Sequence, residues 1–202
     1  MTKRASSAKR GRGYTVRAIN TRQVRQRFLI VCEGAKTEPT YFQQFRVPSL
    51  VVNVEGLGYD PRQLVDKAID LRRADDYDQV WCVFDRDSWP IDNFNGAIAK
   101  AQKQKIQIAY SNEAFELWYL LHFNYHDTGI PRHEYITRLH TLLGKPYAKN
   151  SLTIYAELES RMDDALRNAE QLMAQYDPPT PAADNPSTTV HLLVKELRRF
   201  SR

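Results

Sequence analysis

Two acidic motifs each close an apolar run. Phe28-Leu29-Ile30-Val31-Cys32 leads directly into Glu33-Gly34, and Val80-Trp81-Cys82-Val83-Phe84 leads into Asp85-Arg86-Asp87. Near-continuous apolar runs of this length read as strands of a parallel sheet, buried on both faces. In such a sheet, ligands gather outside the carboxyl ends of the strands, which is where both motifs stand. If the two strands are neighbours, three carboxylates converge at one end of the sheet. Like charges repel strongly in a low-dielectric cleft, so this arrangement needs a cation. Hard oxygen donors in this number suit Mg²⁺ or Mn²⁺, ions that keep several waters and bind substrate phosphates. Gly34 lets the backbone turn close to the ion. Asp85 and Asp87 are two apart in extended chain, so their side chains can share a direction. Each motif alone is ordinary: Glu-Gly closes many turns, and a strand-end aspartate can cap the next helix. Their conjunction points to a metal site.

The elements that must position these groups follow from periodicity. Strands are expected at 27–32, 50–54, 80–84 and 106–110. Helices are expected between and after them. Thr37-Glu38-Pro39 opens the first, with Thr37 as its cap and Tyr41, Phe42 and Phe45 turned inward. Pro61 opens the second, to about Arg73; the third runs from Asp92 to Gln104; a strongly aromatic fourth runs from Asn112 to about His122. Strands alternating with helices imply an α/β fold, a parallel sheet flanked by helices. Residues 124–150 read as short polar and aromatic pieces. One long helix is expected from Ile154 to about Gln175, then a proline-rich loop. A last helix is expected from Ser187 to about Phe200, with Ser187-Thr188-Thr189 as its cap. The organisation expected is a basic flexible tail (1–26), an α/β core (27–123) and a C-terminal helical elaboration packed on that core (124–202).

Charge is distributed unevenly along the 202 residues. The net charge is +5, yet residues 1–27 carry nine Lys and Arg and no acid, so the remainder carries −4. A polar basic tail of this kind suits phosphate contact through Arg10 and Arg12, or solubility, or docking on an acidic partner. No apolar run approaches the ~18 residues of a membrane span. The N-terminus lacks an apolar signal core, so a cytoplasmic protein is expected. Cys32 and Cys82 sit inside apolar runs and read as reduced core residues.

The motifs carry a resemblance. Glu33-Gly34 and Asp85-Arg86-Asp87 look like the two motifs of the Toprim fold, shared by topoisomerases, bacterial primases and overcoming-lysogenization-defect nucleases. The runs "LIVCEGAKTEPTYF", "VFDRD", "SNEAFELWYLLHF" and "NPSTTVHLL" resemble the RloB-like family over about residues 27–195. The resemblance implies a Toprim-like core with helical additions, and a bacterial anti-phage defence setting beside an ATPase partner. By analogy with related two-component systems, it also implies cleavage of nucleic acid, RNA such as transfer RNA, or DNA. It carries Glu33, Asp85 and Asp87 over as metal-binding or acid–base residues, and Glu116 as a further catalytic candidate. Glu113 stands where the pattern leads one to expect proline. On a helix, Glu113 and Glu116 would share a face; Glu113 also suits a helix start.

Other candidates are weaker. Lys36 follows Gly34 closely and suits either a phosphate or solvent. The segment Lys145-Pro146-Tyr147-Ala148-Lys149-Asn150 reads as a surface loop, although Lys145 and Lys149 could hold a nucleic-acid backbone while Tyr147 stacks a base. His122 reads as a core histidine with a satisfied hydrogen bond, and Phe115, Trp118, Tyr119 and Phe123 as core. The leading function is therefore a Mg²⁺- or Mn²⁺-dependent nuclease. The alternatives are a module that binds nucleic acid or an ATPase without cutting, a primase-like polymerase and a phosphatase.

Overall fold

The computed structural model describes residues 26–47, 50–54 and 59–201. The basic tail with Arg10 and Arg12, and the glycines Gly56 and Gly58 that follow the second strand in sequence, lie outside the described residues.

Five strands form one sheet in the order β2-β1-β3-β4-β5. These are β1 (Phe28–Cys32), β2 (Leu50–Val54), β3 (Gln79–Asp85), β4 (Gln107–Asn112) and β5 (Ser187–Thr188). The first four are mutually parallel, and β5 runs antiparallel to β4. Helices α1 (Thr37–Phe42), α2 (Pro61–Ala74) and α3 (Ile91–Lys103) make the crossovers. This is the expected α/β architecture, with a mostly parallel sheet flanked by helices.

The alternation along β1 divides the core in two. Phe28, Ile30 and Cys32 face one apolar cluster, with Trp81, Val83 and Ala109. Leu29 and Val31 face the other, with Cys82, Phe84, Phe94 and Leu64. Successive strand side chains point to opposite faces, so all five β1 residues are buried. Both cysteines are buried and unpaired, and burial pushes both thiols far above their ordinary pKa. α2 starts as its sequence demands: Asp60 accepts from the amides of Arg62 and Gln63, the Gln63 side chain answers the Asp60 amide, and Pro61 follows. α1 begins differently, with Lys36 at the cap position and no side-chain capping bond, so Thr37 is not the cap.

Four further elements depart from the sequence reading. First, β4 runs on through Asn112, and helix α4 is only Glu116–Leu120. Ser111 and Asn112 remain extended because tertiary partners satisfy them. The Ser111 hydroxyl bonds Thr188, and the Asn112 amide donates to the Asp184 carbonyl at 2.8 Å. Glu113 thus lies outside the helix and shares no helical face with Glu116. Second, the 124–150 segment contains a full helix, α5 (Arg132–Leu143), closed by Gly144 at φ +66°. Only Tyr135 and Leu139 of α5 are buried, which explains its weak apolar stripe. Third, the long helix is broken into α6 (Ile154–Leu158), a 3-10 turn (159–161) and α7 (Met162–Met173). Fourth, Ser187 and Thr188 form an edge strand, and the last helix, α8, is Val190–Phe200, with Thr189 at its cap position and the Thr188 hydroxyl accepting from the Val190 amide at 3.3 Å. Among the described residues no helix is long and apolar enough to cross a membrane.

Candidate active site

The strand order fixes the site. From β1 the chain passes to β2 on one side and from β3 to β4 on the other, so the order of connection, not the strand direction, reverses between the parallel neighbours β1 and β3. A crevice opens at the carboxyl ends of strands flanking such a switch point. Glu33 and Asp85 stand on its two sides. The Glu33 amide extends the ladder by one bond, donating to the Val83 carbonyl at 2.9 Å. Its carboxylate is held at both oxygens: Oε1 accepts from the Trp89 indole N–H at 2.8 Å and Oε2 from the Asp85 amide at 3.4 Å.

Asp85 is the last residue of β3. Asp87 lies beyond the strand, in a turn at φ +40°, a region that a short polar side chain tolerates better than a bulky one. The two aspartates face one way because of this turn, not because of strand pleat. Arg132, the first residue of α5, bridges them: Nη2 reaches Asp85 Oδ2 at 3.2 Å and Nη1 reaches Asp87 Oδ2 at 3.1 Å. The intervening Arg86 pairs with neither aspartate carboxylate; it donates from Nε to the Ala182 carbonyl at 3.2 Å, tying down the C-terminal loop, and from Nη1 to the Asp87 carbonyl at 3.4 Å.

α1 and α4 deliver two more carboxylates, Glu38 and Glu116, both buried. An aromatic cluster beneath them fixes both helices. The Trp118 indole donates to the Tyr41 hydroxyl at 2.9 Å, and Tyr41 packs edge-on against Phe115 and at a tilt against Tyr119. Gly34 gives Glu38 room: a Cβ there would stand 2.2 Å from Glu38 Oε2, so the Glu38 carboxylate would have to shift. Glu116 accepts from the Tyr147 hydroxyl at 3.2 Å and lies 3.8 Å from the Lys149 ammonium. Together these groups, with Lys36 and Thr37, line a cleft of about 320 Å³.

The electrostatics are those of an acid-rich, poorly solvated cavity. Burial raises Glu38 to about 7, with Glu116 and Glu33 pushing the same way and Lys149 opposing. Burial also carries Asp85 well above the ordinary carboxylate range; Glu38 and Glu116 add to this and Arg132 opposes it. Glu33 is raised by burial despite the Trp89 and Asp85 bonds, which favour its ionised form. Burial works against the Arg132 charge, but Asp85, Asp87, Glu116 and Glu113 outweigh it and raise the guanidinium pKa.

The donor set fits a hard divalent cation in chemistry: carboxylate oxygens from Glu33, Asp85, Asp87 and Glu38 face a cleft short of positive charge. Glu38 lies over the bare Cα of Gly34, in space that any side chain would fill. In geometry, Arg132 bridges the two aspartates, and no group of three or more His, Cys, Asp or Glu among the described residues is arranged to hold a metal.

The structure thus brings Glu33, Asp85, Asp87, Glu116, Lys36 and Lys149 to one cleft. Lys145 is not among its lining residues; it pairs with Glu157 at 2.6 Å. Arg10 and Arg12 lie outside the described residues. The segment 145–150 is more than a surface loop, since Tyr147 is buried against Glu116. Tyr147 also packs edge-on against Tyr119. His122 is fully buried, with Nδ1 against the Trp118 carbonyl at 2.9 Å, but its Nε2 has no partner. Burial pushes its pKa down to about 4, so the ring is neutral. Phe115, Trp118 and Tyr119 are core as expected.

Two site residues escape the sequence reading. Glu38 has a signal, an acid beside the inward-facing aromatics of α1 and five residues after Glu33. Arg132 has none, because its helix carries too weak an apolar stripe to be read.

The profile of the RloB-like protein family matches residues 28–197, most of the chain and all of the cleft. The chain belongs to this family. No curated protein and no solved structure matches it at a significant level. For this RloB-like protein, the matched span contains every residue placed in the cleft.

Proposed function

We propose that this RloB-like protein is a metal-dependent nuclease that hydrolyses phosphodiester bonds of nucleic acid, RNA such as transfer RNA or DNA. The observation that carries the reading is the mixed-sign cleft at the β1/β3 switch point. Five carboxylates converge there with three cations, Lys36, Arg132 and Lys149. A phosphodiester needs both kinds of group, cations on its oxygens and carboxylates for the metal and the proton.

Asp85 and Asp87 would hold Mg²⁺ or Mn²⁺, with Glu38 beside them, and Glu33 would serve either as a third ligand or as the general base. When bound, the ion supplies a Lewis acid that polarises a phosphoryl oxygen and activates water. The rest is done by the chain. Glu33 has its carboxylate fixed at both oxygens and its pKa raised. As the base, it would accept the proton of the attacking water as the new P–O bond forms and return it to the leaving oxygen as the old P–O bond breaks. Lys36 and Lys149 bind the flanking phosphates, and the buried aromatic floor excludes bulk water. The resemblance supports an effector role in bacterial anti-phage defence beside an ATPase partner.

A second reading, a module that binds nucleic acid or the ATPase without cutting, draws on the aspartates already paired with Arg132. Single-turnover cleavage of plasmid, single-stranded DNA and total transfer RNA in Mn²⁺ separates the two. Cleavage by the native protein, lost in Glu33→Gln, Asp85→Asn and Asp87→Asn with nucleic-acid binding retained, supports the nuclease. Full activity in the aspartate variants refutes the metal assignment. Binding without cleavage of any substrate favours the module.

A further inference from the structure

Arg132 stands in an unfavourable place for a helix. It is the first residue of α5, where the positive end of the helix dipole repels a cation. Its placement is explained by the aspartates. The hold on them is open, however. The guanidinium takes one oxygen of Asp85 and one of Asp87, at 3.2 and 3.1 Å, instead of both oxygens of one carboxylate. Charge-assisted bonds of this type are normally ~2.7–2.9 Å. A third donor, Nε, is buried without a partner. A divalent cation held by both aspartates would need oxygens of the same two carboxylates, at ~2.0–2.1 Å for Mg²⁺. The guanidinium that bridges Asp85 and Asp87 stands between them, in the space such an ion would take.

Building on the metal-dependent reading above, we propose that Arg132 is an internal stand-in for the metal and, once displaced, a ligand for substrate phosphate. In the metal-free protein its single charge holds Asp85 and Asp87 together. A divalent cation brings twice the charge to the same pair of carboxylates and takes the place. The freed guanidinium remains in the cleft with Lys36 and Lys149. Its planar fork, with the unused Nε, matches a phosphate better than a lysine ammonium does. Metal binding and phosphate binding are thereby coupled through one side chain.

The test uses the full chain and two readouts that do not depend on turnover. Mn²⁺ affinity is measured by electron paramagnetic resonance without nucleic acid. The salt dependence of binding to a hydrolysis-resistant phosphorothioate oligonucleotide is measured with and without Mn²⁺. Arg132→Gln should bind Mn²⁺ roughly three- to ten-fold more tightly than the native protein, because no resident cation competes. With Mn²⁺ present its salt slope should fall by about 0.7 to 0.9, the share of one neutralised phosphate. Without Mn²⁺ the two slopes should coincide, because Arg132 is then engaged with the aspartates.

Arg132→Lys keeps the charge and loses the fork, and serves if the glutamine variant does not fold. It should gain about two- to three-fold in Mn²⁺ affinity with an unchanged slope. Mn²⁺ affinity in Arg132→Gln equal to or weaker than native overturns the proposal, as does a slope difference that persists without Mn²⁺. Asp85→Asn separates this failure from that of the underlying reading. If Asp85→Asn binds Mn²⁺ as the native protein does, the metal assignment itself is wrong and the proposal falls with it.

Discussion

Glu38→Gln should stabilise the metal-free protein at pH 8 and leave its stability nearly unchanged near pH 4. Glu38 titrates at about 7 in the folded chain against an ordinary 4.5, chiefly through burial and then through Glu116 and Glu33. Its folded pKa is raised, so the folded state holds the proton more tightly than the unfolded state does. The stability this contributes is fully present below 4.5 and is lost as pH rises through about 7. At ~1.36 kcal/mol per pH unit, the loss comes to about 3 kcal/mol. Glutamine has nearly the same shape and no charge, so it removes that dependence. It also relieves Asp85, whose rise owes more to Glu38 than to any other charge. The assay is urea unfolding in EDTA between pH 4.5 and 8. The native protein should lose on the order of 3 kcal/mol more than Glu38→Gln across that window. Parallel stability curves would show that Glu38 does not carry a buried charge at neutral pH, and the electrostatic account of the cleft would fail.

Three further outcomes rest on individual residues or segments. Gly34→Ala drives a methyl into the Glu38 carboxylate; it should cost about 1–3 kcal/mol, as overpacking does. Pairing it with Glu38→Ala should recover most of the loss, whereas additive losses in a double-mutant cycle would deny the clash. Trp89→Phe removes a bond that favours ionised Glu33. The acidic limb of the cleavage profile should therefore move to higher pH, and an unmoved limb would separate Glu33 ionisation from the rate. Deleting residues 1–24 should leave the thermal melt unchanged and reduce the salt slope of nucleic-acid binding by about 0.7 to 0.9 for each phosphate the tail neutralises; an unchanged slope assigns the tail to another task.

Much of the fold is legible because the signals are local. β1 and β3 announce themselves by apolar runs, and the motifs that close them are contiguous with those runs. Glu33, Asp85 and Asp87 can therefore be placed at strand ends before their neighbours are known. α2 carries its own start signal in Asp60, Pro61 and Gln63. What the sequence could not determine depends on partners far along the chain. Asn112 looks like a helix start and Ser111 falls between two elements, yet both are strand because Thr188 and Asp184, over seventy residues later, satisfy their side chains. A two-residue strand such as β5 has no period to read; it exists only through β4. Arg132 lies in a helix with two buried residues, too few to mark an apolar stripe. Its meeting with Asp85 and Asp87 spans more than forty positions. The sequence determined which carboxylates stand at the sheet edge. Only the tertiary structure decided which cation faces them, because a charge pair is set by distance in space and leaves no period in the chain.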